Sequence, residues 1–272
     1  MKYLSKIYLV LIFGILYIPI LTLILFSFNE SNSTAVFTGF SFDWYIELFK
    51  SPETFTALRN SLILAVLSAL ISTIIGTAAA EGIYKMRSKL AKAAINSVTN
   101  IPMMNPDIVT GMSMMLFFVA VAGIIGVSYE DMGFTAMLIS HVTFCLPYVI
   151  LSVLPRINEL GDSLSEAALD LGCTPIQAFF KVKLPNIMPG VLSGMVMAFT
   201  MSLDDFVISY FVGSSNFQTL PLLIYSMTKK KVTPDMYALS TLIIVTVFVL
   251  LVISNFRSGK RVVEKRKGGH AK

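Results

Sequence analysis

The stretch SLSEAALDLGCTPIQAFFKVKLP, Ser163 to Pro185, decides how the rest of the chain is read. Ser163 and Glu166 stand at capping-box spacing, which predicts a helix whose first amides are held by the serine hydroxyl while the glutamate reaches back. Ala167 and Ala168 favour that helix and are small enough for another surface to approach closely. Gly172 supplies the left-handed residue that ends it. Thr174-Pro175 then starts a second helix, with threonine as cap and proline in the first position. Pro185 and Pro189 are expected to stop this second helix. Two short helices meeting at a glycine make a firm projection rather than a slack linker.

Long apolar runs flank the projection. Hydrophobic residues make up 55% of the 272 positions and charged ones only 14%, against about 25% charged in a soluble domain, and the mean hydropathy is +0.76. Crossing a hydrocarbon core of about 30 Å takes about 20 helical residues. Six runs meet that length, at about 7–28, 61–84, 101–125, 134–154, 187–212 and 238–256. The chain therefore reads as one all-α domain of six transmembrane helices over 1–272, with 155–186 as its longest loop between spans on the inner side. The first run has no small-residue cleavage site and contains Pro19, so it is expected to be a retained span.

Charge orients the spans. With both termini inside, sixteen of the 21 lysines and arginines fall on the inner side, including Lys2, Lys6, Lys85, Arg156, Lys181, Lys183 and seven after Phe256. Lys50, Arg59 and Lys229 to Lys231 fall outside, and the balance follows the positive-inside rule. The external segment 29–60 contains Phe42 to Phe49, which fits a short helix at the interface, with Trp44 and Tyr45 at headgroup depth. The net charge of +5 flanks apolar runs as membrane anchors do and gives no sign of nucleic-acid binding. Cys145, Cys173, His141 and His270 form no cluster of metal-ligand spacing, so neither a metal nor a cofactor is expected in this chain.

Glu166-Ala167-Ala168, three residues, Gly172, nine residues, then Val182-Lys183-Leu184-Pro185 resembles the EAA loop of bacterial ABC importer permeases, with Val182 where isoleucine is usual. The resemblance implies the type I importer permease (MetI-like) fold and a coupling helix seated in a cleft of a separate ATPase. Glu166, Ala167, Ala168, Gly172, Leu184 and Pro185 would make that coupling. The chain has no G-x-x-x-x-G-K-[ST] phosphate loop, in keeping with a transport subunit rather than an enzyme.

Carboxylates inside the spans carry the second signal, since each costs roughly 2.5–3.5 kcal/mol on insertion scales at a helix centre. Asp204 and Asp205 interrupt the fifth run, and adjacent helical side chains point about 100° apart, so one is expected on a pathway and the other on a neighbouring helix. Asp107 follows Pro106, where a helix restarts; it reads as the cap of that helix or as another negative charge on the route. Tyr148, Phe206 and Tyr210 could add cation–π contacts, and His141 reads as a hydrogen-bonded packing residue. Gly190 and Gly194 have GxxxG spacing, which lets helices approach within this subunit or against a paired one.

Met104 to Val109, His141 to Pro147, Asp204-Asp205 and Leu220 to Met227 extend the resemblance to the spermidine/putrescine branch of the permease family. That implies a second homologous permease, two copies of a cytoplasmic ATPase and an extracytoplasmic polyamine-binding protein, in a bacterial cytoplasmic membrane. Import of another solute (a metal cation or thiamine-like compound) by the same architecture, or proton-coupled transport through Asp107 or Asp204, remain the alternatives.

Overall fold

The computed structural model describes residues 2–31, 36–214, 217–230 and 235–249. The chain is all-helical: α1 (Lys2–Phe26), α2 (Asp43–Lys50), α3 (Pro52–Lys85), α4 (Lys89–Met104), α5 (Asp107–Ile125), α6 (Tyr129–Leu160), α7 (Ser163–Asp170), α8 (Pro175–Ala178), a π-helical turn (Phe179–Lys183), α9 (Leu184–Leu203), α10 (Val207–Val212), α11 (Leu220–Lys230) and α12 (Asp235–Val249). Among the described residues, five helical runs are long and apolar enough to cross a membrane: Lys6–Phe26, α3, α5, α6 and Pro175–Leu203. α12 is the described part of the expected sixth span. The end of that span, the basic residues after Phe256 and Lys231 lie outside the described residues.

Two compact units form. In the first, Met1–Leu58 with Leu220–Leu250, α1 exposes apolar side chains along its length, Val10, Ile15 and Ile18 among them. Beyond it Asn29 is fully buried; its Nδ2 donates to the Val36 carbonyl at 2.9 Å and its Oδ1 accepts from the Thr38 amide at 2.9 Å. Trp44 Nε1 donates to the Asn29 carbonyl at 2.6 Å, and the Tyr45 and Ser27 hydroxyls lie 2.7 Å apart. The short helix expected near 42–49 is α2, and its aromatic residues serve packing. Leu48, Ala57, Leu220, Leu223 and Leu239 make this unit's core.

In the second unit, Arg59–Thr219, α6 is the central element and packs most extensively against α9. Lipid removes most of the hydrophobic drive between helices, so close backbone approach at small residues has to supply the packing. A Cβ on Gly190 would lie 2.6 Å from Arg156 Cγ and 2.8 Å from the Ser152 carbonyl, and one on Gly194 3.2 Å from Val149 Cα. The GxxxG pair is thus spent inside this subunit. A Cβ on Gly76 of α3 would likewise lie 2.7 Å from Val149 Cγ1. Val149 is a wedge between two glycines on two helices.

Four local expectations are corrected. Pro106 lacks an N–H and Asn105 is extended (φ −74°, ψ 142°), so the third run divides into α4 and α5 at the restart expected there, but Asp107 is not its cap. Pro106 occupies the cap position and Asp107 lies in the first turn, making no cap hydrogen bond. The fifth run is likewise not one helix: α9 ends at Leu203 and α10 begins at Val207. Asp162 takes the position before α7, so Ser163 is its first helical residue and forms no capping box. Finally, Pro185 and Pro189 do not stop a helix before the fifth span. Pro185 sits in the first turn of α9, where no N–H is needed, and the π turn joins α8 to it.

Candidate functional site

α7 and α8 build the projection. At the end of α7 Gly172 adopts φ 85°, its amide donates to the Leu169 carbonyl at 2.9 Å and the Cys173 amide donates to the Ala168 carbonyl at 3.0 Å. These two bonds close a Schellman motif, which requires a left-handed residue at 172. Thr174 and Gln177 then form the capping box, with Gln177 N donating to Thr174 Oγ1 at 3.3 Å and Thr174 N donating to Gln177 Oε1 at 3.1 Å. Ala168 and Ala178 are buried, Leu184 is half-buried, and Glu166, Ala167, Gly172 and Pro185 are exposed. Leu171 (87% exposed), Ile176 (71%) and Phe180 (60%) give the projection an apolar outer surface. A soluble surface seldom leaves three large apolar side chains so bare on one small feature.

The second constellation surrounds the break between α9 and α10. Asp205 accepts from the Ser209 amide at 2.9 Å and the Ile208 amide at 3.3 Å, and so holds the start of α10. Its carboxylate also lies 3.5 Å from His141 Nε2. Asp204 is exposed. Asp107 is exposed at the start of α5 and lies within electrostatic range of Asp205 and Tyr148. Gly111 fixes this proximity, because a Cβ there would lie 3.0 Å from the Phe211 ring and 3.3 Å from the Val207 carbonyl of α10. Phe206 and Tyr210 pair with ring centroids 5.5 Å apart, and Tyr148 packs against Phe144 at 5.7 Å. The residues read from sequence therefore gather at one level of the helix group, with Asp205 turned to structure.

Sequence reading missed the polar chain that backs this break. His141, Ser68 and Ser209 are fully buried and Ser202 nearly so. The Ser68 hydroxyl lies 2.7 Å from the Leu64 carbonyl and donates to the hydroxyl of Ser202 at 2.8 Å. His141 Nδ1 is 2.8 Å from Ser202 Oγ and Nε2 3.3 Å from Ser209 Oγ. The donor order that follows these contacts runs from Ser68 to Ser202 and from Ser202 to His141 Nδ1, which leaves Nε2–H directed at Ser209 and the Asp205 carboxylate. It joins α3, α6, α9 and α10 at one histidine.

A second omission lies at the root of the projection. Glu81 Oε1 accepts from Lys183 Nζ at 3.0 Å, and its Oε2 is 2.8 Å from the same nitrogen. Lys85, one turn on, adds an exposed partner at 3.0 Å. The available signal was a glutamate at 81 within an apolar run, the one acid between Glu53 and Asp107.

Residues 72–267 match the family described as binding-protein-dependent transport system inner membrane component. The putrescine transport system permease PotI of Escherichia coli K12 is 40% identical over 232 residues, 85% of this chain and 82% of that protein. The spermidine/putrescine transport system permease PotC of Haemophilus influenzae is 37% identical over 258 residues, 95% of this chain and 97% of that one. Among solved structures, a chain of a bacterial alginate ABC transporter superposes with a TM-score of 0.77 at 18% identity, covering 95% of each chain. One from the methionine transporter MetNI superposes with 0.61 at 20% identity, covering 77% of this chain and 98% of that chain. These likenesses, with several apolar spans and an intact EAA loop, make the chain a multi-pass membrane protein of the ABC importer permease class. It belongs to the inner membrane components of binding-protein-dependent transport systems.

Proposed function

We propose that this chain forms one half of the translocation pathway of an ATP-driven polyamine importer. The observation that carries this reading is the helix break at Asp204–Phe206, which puts an exposed carboxylate, Asp204, inside an otherwise apolar run and beside Asp205, itself within electrostatic range of Asp107 at the start of α5. A linear polycation needs several weak anionic contacts rather than one deep site, so that it is drawn in and still released. Asp204 and Asp107 supply the charges, Asp205 holds the break open, and Tyr148, Phe206 and Tyr210 offer aromatic faces to the ammonium groups. The putrescine and spermidine/putrescine permeases among its relatives support the substrate class.

In this reading the outer surface of α7–α8 seats on a cytoplasmic ATPase, two copies of which serve this chain and a second, homologous permease. An extracytoplasmic binding protein delivers the polyamine, both termini are cytoplasmic, and the chain itself needs no cofactor. Glu166 lies in the first turn of the docking helix, Ala167 permits close approach, and the Gly172 turn sets the angle between the two helices.

The test is the assembled complex in lipid vesicles. Spermidine or putrescine, presented by the binding protein, is expected to stimulate ATP hydrolysis, and D204N is expected to lower uptake about fivefold, the equivalent of one exposed ion pair of about 1 kcal/mol, with assembly unchanged. Undiminished uptake by D204N would remove Asp204 from the pathway. Stimulation by a metal cation or thiamine but by no polyamine would overturn the substrate, and uptake without ATP would overturn the class of mechanism.

A further inference from the structure

The last turns of α3 meet the projection at both of its roots. Lys183 ends the π turn with its side chain 3% exposed, and Glu81 is 12% exposed. A buried ammonium is retained only where a partner compensates its lost hydration, and Glu81, 102 residues away, is that partner. Tyr84, three residues beyond Glu81 and therefore on the same face of α3, sets its ring 4.4 Å from Lys183 Nζ. The Tyr84 hydroxyl feels the charges of Asp162 and Glu166 at the start of α7. One helix end thus touches where the chain leaves α6 and where it returns to α9.

The π turn gives this arrangement its purpose. Ile187, Gly190 and Gly194 fall at three-, four- and seven-residue spacings on one face of α9, the face locked against α6 at Gly190 and Gly194, and Lys183 ends the π turn just before it. A π turn adds about one residue of rotation relative to an α-helix, so α8 is aimed independently of that locked face. Movement of the projection arrives at Lys183 through this turn, and there it is shared with α3.

We propose that Glu81, Tyr84 and Lys183 form a latch that passes movement of the α7–α8 projection to α3, making them positioning residues for transport and not substrate contacts. This rests on the reading of α7–α8 as the seat of the ATPase. The experiment measures assembly, ATP hydrolysis and uptake for the complete complex in vesicles. In E81Q and K183Q, assembly and hydrolysis are retained while uptake per ATP falls about tenfold, a usual size for coupling between sites; the charge swap E81K/K183E restores most of it. The doubly apolar E81L/K183M leaves no orphaned charge; it assembles normally and stays uncoupled. Wild-type uptake per ATP in the single variants, or coupled transport by the apolar pair, overturns the latch. So does a loss of assembly, hydrolysis and uptake in step, which would make the pair a fold support only. Failure of the docking reading shows separately, as G172V holding and driving the ATPase at the full rate.

Discussion

Two backbone amides hold the Asp205 carboxylate, while that of Asp204 is exposed, so one substitution has different consequences at the two sites. D205N keeps an acceptor for the first amides of α10, as asparagine caps about as well as aspartate. D205A removes it and is expected to cost about 1 kcal/mol, read as a lower unfolding temperature of the purified complex, whereas D204A leaves that temperature unchanged. Equal effects at both positions would contradict the division. The sequence announces that two carboxylates lie inside a span, because apolar surroundings make them conspicuous. Which of them packs is hidden, since the 100° rule assumes a continuous helix and this one stops at Leu203. Glu81 and Lys183 were harder still: Glu81 stands out as a lone acid in an apolar run, but what it does depends on a pairing across 102 positions.

Among the elements, the α6–α9 contact predicts a graded response. G190A puts a methyl group 2.8 Å from the Ser152 carbonyl, a backbone atom, and should destabilise by about 1–3 kcal/mol. G194A meets atoms at 3.2 Å and beyond and should cost less; thermal unfolding of the two variants checks the order. In the projection, T174A should cost about 1 kcal/mol through loss of its capping box, whereas S163A, at a position that caps nothing, should be close to neutral. The Gly172 turn and the Thr174 cap were legible because both are decided by residues within four positions. Ser163 misled because Gly161 (φ 67°) and Asp162 complete the turn out of α6 first. The π turn left no local mark at Phe179–Lys183, where the sequence suits an ordinary helix and Lys183 is oriented by a partner on α3.

For the whole molecule, composition sufficed to identify a membrane protein, and spacing along 166–185 sufficed for its class. Among the described residues α1 exposes its apolar length, as a helix that faces lipid does. The proposed orientation makes a direct prediction: a cysteine introduced near Lys6 reacts with an impermeant thiol reagent only after the membrane is opened, while one at Lys50 reacts in intact cells. The break that ends α9 reaches beyond its side chains. A helix of 20 residues carries about half a negative charge at its carboxyl end, borne by the carbonyls of its last turn. Leu203 ends that helix where Asp204 is exposed, so the peptide backbone itself contributes to the attraction for a cation. Neutralising Asp204 therefore leaves a remnant field, one that genetic substitution cannot erase because every amino acid supplies the same carbonyl.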